Sequence, residues 1–251
     1  MKEFLWKDRL QILTSCILLI IIWEILATLI DNPIYLPTVE VVLANILIIF
    51  KSEDFFINVL SSAYRTIVSF LLALISSIFL GIVSSGSSLF RNILKPVNAL
   101  STSIPTMVLV VLALIWFDKD NAPFIVGIFI VFPILYEGVL SSILGVDKNI
   151  IEMTNIYKVK KIDKLKYIYF PLIKFQVTNL LVSTFSLAFK VVIAGEVHGQ
   201  PKYGIGTVIQ YEKMNFNTEA IFAWIIIIAM ISFALDILNK FITKKSFKWR
   251  V

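Results

Sequence analysis

Apolar residues in this chain gather into blocks of about 20, parted by short polar stretches. They do not follow the alternation of a half-buried strand or the every-third-or-fourth spacing of a surface helix. A helix of that length crosses a hydrocarbon core of roughly 30 Å. Inside lipid every backbone amide needs a partner within the segment, which favours helices. The segments of about 10 alternating residues that mark a membrane barrel are absent from the pattern. The expectation is an all-α integral membrane bundle of about six transmembrane helices. The spans are placed at about 10–30, 64–84, 100–117, 122–144, 176–195 and 220–242, all within one transmembrane domain covering 1–251. Val39 to Phe50 is apolar but only 12 residues long, and it contains Glu40 and Asn45. It is read as an interfacial or re-entrant helix.

Charge orders these elements across the membrane. With both termini cytoplasmic, 17 of the 23 Lys and Arg residues lie inside and four lie outside, while Arg65 and Lys190 fall within spans. Such an asymmetry marks the cytoplasmic face, so the net charge of +6 reflects topology and anionic lipid, and a nucleic-acid partner is not called for. The run after MKEFLWKDR continues from Leu10 to about Ile30. That is longer than a signal-peptide core, and it is read as a retained first span. Composition agrees: 58% of the residues are hydrophobic and the mean hydropathy is +0.88, above the range of soluble domains.

The most informative polar stretch is the cytoplasmic segment 145–175, with seven lysines between Lys148 and Lys174. Ile150, Ile151, Met153, Ile156, Tyr157 and Ile162 are set there among polar residues and lysines, which predicts one or two short amphipathic helices. Pro171 is expected to interrupt the chain before the fifth span. This segment is either an interfacial lipid-bound helix or a docking helix for a cytoplasmic partner.

Glu152 begins a pattern that resembles the cytoplasmic loop motif of importer permeases of the ATP-binding-cassette class. Ile168 and Pro171 follow 16 and 19 residues later, as in that family. Met153 and Thr154 stand where the family has alanines, Lys158 stands at its glycine, and Phe170 stands at its leucine. Further stretches are similar to one branch, the nitrate, sulfonate, taurine and bicarbonate permeases, which also includes pyrimidine-precursor importers. They are WEILA (Trp23 to Ala27), YLPTVEVV (Tyr35 to Val42), Arg65, SIPTMVLVVLALIWF (Ser103 to Phe117), FP (Phe132 and Pro133), GVDK (Gly145 to Lys148), AGEV (Ala194 to Val197), GIG (Gly204 to Gly206) and the tail with Lys244, Lys245 and Trp249. The resemblance implies a permease that pairs with a second copy. It implies a cytoplasmic ATP-binding subunit docked on the loop, and an extracytoplasmic substrate-binding protein. ATP and Mg would be held by the partner ATPase, with no cofactor bound by this chain. Glu152, Met153, Thr154, Lys158, Ile168 and Pro171 would then couple to the ATPase.

Catalytic chemistry is not legible. Gly81 to Ser88 has the glycine spacing of a phosphate loop, but serine replaces its lysine and it ends a span. Cys16 and His198 stand alone, short of any metal cluster. Three ionisable residues fall within or near spans, where each is a functional candidate. Glu24 is expected to pack against a polar group or to serve the pathway. Glu137 is expected to neutralise a basic partner. Lys190 either snorkels to the outer interface or lines a solute pathway and attracts an anion, such as nitrate, a sulfonate or bicarbonate. Glu196 is the second candidate pathway residue. It opens the turn-rich segment 195–207, which is read as a connector or as an outer gate. The rival reading is a secondary transporter or channel working without an ATPase.

Overall fold

The computed structural model describes residues 2–246, and among these every regular element is helical. In chain order they are α1 (Lys2–Ile30), α2 (Val39–Lys51), α3 (Phe55–Gly86), α4 (Ser88–Ser103), α5 (Thr106–Trp116), α6 (Ala122–Leu144), α7 (Lys148–Ile156), α8 (Lys161–Lys164), α9 (Phe170–Gly199), α10 (Ile205–Met214) and α11 (Thr218–Ser246). A π-helical turn over Leu165–Tyr169 joins α8 to α9. Lys248, Trp249 and Arg250 of the basic tail lie outside the described residues. Five helices are long and apolar enough to cross a membrane, and the bent pair α4–α5 brings the number to six if it is one crossing. The chain divides into two compact units, 1–56 with 208–230, and 57–207 with 231–251.

In the first unit, α1 leaves almost all its side chains from Leu10 to Ile30 exposed, as a helix bathed in lipid would. Polar ties bind its far end. Trp23 donates from Nε1 to the Pro37 carbonyl at 2.9 Å. Glu24 accepts the Val39 amide on Oε2 at 2.9 Å, capping the first turn of α2. The 13-residue α2 is tied to α11 by Asn45 Nδ2 donating to Glu219 Oε2 at 3.2 Å.

The core of the second unit is built from α3, α6 and α9. Phe70, Ala73, Val131, Leu135 and Ala188 form its centre. Helices α6 and α9 run antiparallel, with Gly195 close to Pro123, Gly127 close to Val192, and Gly138 against Leu180. Small residues at these crossings let two backbones approach. Helix α5 joins through Val110 and Ala113, which pack on Ala122, Val126 and Val191.

Two expectations are corrected. The span foreseen as continuous over 100–117 is broken: α4 ends at Ser103, α5 starts at Thr106, and the two meet at 107°. Pro105 lacks an amide hydrogen and disfavours helical backbone at the residue before it. Ile104 is accordingly extended, with ψ 128°. Pro171, foreseen as an interruption, stands in the first turn of α9, which continues directly from the π turn. The wider ring of a π turn gives room where the proline ring would meet the carbonyl of Tyr167, four residues back.

Candidate functional site

Three polar constellations stand out in the second unit.

The first is a buried cluster around Glu196. Its side chain is 0% exposed. Oε2 accepts Ser62 Oγ at 2.7 Å and the Gly206 amide at 3.1 Å, and Oε1 accepts Arg65 Nη1 at 2.8 Å. Arg65 also donates to the Tyr203 carbonyl at 2.7 Å, and its other nitrogen lies 3.8 Å from the half-exposed Asp120. Asn58 Oδ1 accepts the Gly204 amide and Ser62 Oγ accepts the Ile205 amide, both at 2.9 Å. The glycines are required by space. A side chain at 204 would come within 2.7 Å of the Glu196 carboxylate, and one at 206 would strike the Ile193 carbonyl. The turn after α9 is thus clamped onto α3 through one carboxylate. Glu196, expected on the pathway, is corrected on this point: it is enclosed, and both of its oxygens are engaged.

The second is the exposed face of α9. Asn179, Ser183 and Lys190 are exposed along one stripe, at spacings of four and seven residues that keep them on one side of a helix. This stripe lies away from α3, which packs against Phe185 and Glu196. Among the described residues Lys190 has no ion-pair partner.

The third is the segment after α6. Asp147 caps α7, accepting the Asn149 amide at 2.8 Å. Helix α7 ends with the Val159 amide on the Thr154 carbonyl at 2.9 Å and the Lys158 amide on the Asn155 carbonyl at 3.0 Å. That double closure is the Schellman motif, whose left-handed position usually holds glycine. Lys158 occupies it, with φ 50°. Thr154 is buried and holds the base of α7, while Glu152 and Met153 are exposed. Ile156 and Tyr157 are each 77% exposed. Ile168 and Pro171 line one hollow with Ile150 and Val146, and Glu152 lines another with Lys148 and Ile151. The structure therefore brings the six predicted coupling residues to one end of α6 and α9, and it sets Lys190 and Glu196 apart from them.

Sequence reasoning missed the role of Arg65 as the ion-pair partner of Glu196. The visible signal was the lone charge of Arg65 in α3 and an acid, Glu196, near the end of α9. It also foresaw a basic partner for Glu137. Instead Asn98 Nδ2 donates to Glu137 Oε1 at 2.8 Å, because α4 presents an amide at that level. No group of metal ligands occurs among the described residues.

A family model described as the inner membrane component of binding-protein-dependent transport systems matches residues 73–248. The chain is 32% identical to a protein of Methanocaldococcus jannaschii named as an ABC transporter permease, over 99% of this chain and 93% of that one. It is 23% identical to a Bacillus subtilis protein named as an aliphatic sulfonates transport permease, covering 92% and 84%. It is 22% identical to the taurine transport system permease protein of Escherichia coli, covering 96% and 89%.

Proposed function

The chain belongs to the inner membrane component family of binding-protein-dependent transport systems and is a multi-pass solute permease subunit of an ABC importer; from that premise we propose that it works as a homodimer whose facing surfaces carry the exposed stripe of α9, with α7 as the joint to the ATPase. Family membership replaces the ATP-independent transporter reading. Importers of this kind work with ATPase and substrate-binding subunits, and ATP and Mg belong to the ATPase.

The observation that carries the pathway is Lys190. A charge at a helix centre in lipid costs about 2.5–3.5 kcal/mol on insertion scales. An exposed ammonium on the same helix face as Ser183 and Asn179 is accommodated better by a water-filled wall closed by a second copy. Lys190 would draw a small anion, and the sulfonate and taurine relatives favour an organic sulfonate. Glu196 serves the same pathway indirectly, by holding the outer turn rigid.

Helix α7 supports the coupling role. Ile150, Met153, Ile156 and Tyr157 form an exposed apolar ridge flanked by lysines that place it on the cytoplasmic side. Glu152, Met153 and Lys158 would touch the ATPase, while Thr154, Ile168 and Pro171 would transmit its motion into α6 and α9. Anionic lipid would hold the surrounding lysines.

Two experiments test this. Purification of the tagged chain in mild detergent should recover a phosphate-loop ATPase in near-equal amount, and Ile156→Asp should lose it; retention by the variant would refute the joint. Uptake of radiolabelled ethanesulfonate by the reconstituted importer should show a KM raised about tenfold by Lys190→Met. An unchanged KM would remove Lys190 from the pathway.

A further inference from the structure

The wall that carries Lys190 extends onto α6. Gly195 beside Pro123 and Gly138 beside Leu180 and Gln176 fix the antiparallel register. Glu137 thus lies level with about residue 180 of α9, roughly 15 Å along the axis from Lys190. Helix α3 packs on the opposite side of α6, where Gly81 meets Val139 and Ser77 Oγ donates to the Phe132 carbonyl. Glu137, Gln176 and Ser183 are therefore on the same side as Lys190.

Glu137 is exposed, and among the described residues its carboxylate accepts one hydrogen bond, from Asn98 Nδ2 on Oε1. No described lysine or arginine is paired with it. Asn98 is only 7% exposed, and its Oδ1 has no donor. Nearby hydroxyls do not supply one: Ser101 and Thr102 both donate to backbone carbonyls of their own helix. A carboxylate oxygen and an adjacent amide oxygen are both left short of donors at a membrane-spanning level. Such a pair of acceptors matches a group that brings several N–H donors or positive charge.

We propose that Glu137 and Asn98 form a second binding site on the pathway wall, which takes an ammonium or amidinium group of the passing solute. The proposal rests on the reading that this face lines the pathway. It makes the wall bipolar, with Lys190 at one level and Glu137 at the other. A solute carrying both an anionic head and a cationic or N–H-rich end would find a partner at each level. A bare inorganic anion would meet a repulsive carboxylate at the second.

The test uses the assembled importer with its ATPase, reconstituted in nanodiscs. Cys16 is the only cysteine, so Cys16→Ser clears the background and Ser183→Cys supplies a reporter about one turn from Glu137 in level. Its modification rate is measured with 2-aminoethyl methanethiosulfonate, a cation, and 2-sulfonatoethyl methanethiosulfonate, an anion. Removing one unit charge at this range should change the cation-over-anion rate ratio by about fivefold or more. Glu137→Gln, which keeps the shape and the bond to Asn98, should lower the ratio by that factor, and Lys190→Met should raise it. A ratio indifferent to Glu137→Gln, with Ser183→Cys still reacting, would overturn the site and leave the pathway intact. Failure of both reagents to modify Ser183→Cys, at rest and during ATP turnover, would overturn the pathway reading and this proposal with it.

Discussion

Truncating Glu196 to alanine removes the acceptor of three donors at once: Ser62 Oγ, Arg65 Nη1 and the Gly206 amide. Arg65, 8% exposed, keeps the Tyr203 carbonyl but loses its counter-charge. Asp120 at 3.8 Å is 56% exposed, and such a solvated pair is worth only about 0–1 kcal/mol. Breaking a buried pair from one side costs about 3–5 kcal/mol, because an uncompensated charge stays behind. For a chain of this size each kcal/mol moves Tm by about 2–4 °C, so Glu196→Ala should lower it by roughly 6–20 °C. The assay is thermal unfolding of the detergent-purified chain. The double variant Arg65→Met with Glu196→Leu removes both charges and fills the space, and it should unfold well above the single Glu196→Ala variant. A loss under about 1 kcal/mol in the single variant, or a double variant no better than the sum of its parts, would refute the clamp.

Lys158→Gly should stabilise the chain by about 0.5–1 kcal/mol, since a left-handed backbone is strained with a side chain and free of strain for glycine; a lower Tm would contradict the Schellman closure. Gly206→Ala should destabilise by about 1–3 kcal/mol, because its methyl would meet the Ile193 carbonyl and the Glu196 side chain; an unchanged Tm would show that the turn yields freely. Asp118, on the loop before α6, accepts the backbone amide and the side-chain amide of Asn121, and also the Asp120 amide, which together hold its pKa below the usual aspartate value. Its folded pKa is depressed, so its contribution is present above the unfolded pKa and is lost as pH falls through the folded value, below 3.8. Titration of Asp118 by NMR, with a midpoint at or above 3.8, would contradict that capping.

The long helices were legible because an apolar run of about 20 residues has few other solutions in lipid. The break at Pro105 was written in the same letters, but a continuous apolar pattern on both sides concealed it. Short-range polar chemistry was partly readable. Lys158 stands where importer permeases have glycine, and the reason appears only with the left-handed backbone at the end of α7. What could not be read were partnerships across the fold. Glu24 looked like a solitary charge in a span until the Val39 amide 15 residues on gave it a cap to make. Glu196 looked like a pathway residue because an acid in a glycine-rich turn suggests water, and only the packing of α3 against α9 encloses it. Glu137 was assigned a basic partner on charge balance, and the register of α4 delivers an amide instead.

The Glu196 clamp also sets a timetable for biogenesis. Arg65 and its counter-ion are 131 residues apart, so α3 leaves the ribosome long before α9 exists. At a synthesis rate of about 5–20 residues per second, that gap is roughly 7–26 s. Throughout it, a guanidinium set within α3 lacks its close counter-ion and can meet only the exposed Asp120, 3.8 Å away in the finished fold, so it is held near water. The turn after α9 can close only when the last third of the chain arrives. Insertion order, and not the hydropathy of any one span, therefore decides when this subunit acquires its finished outer surface.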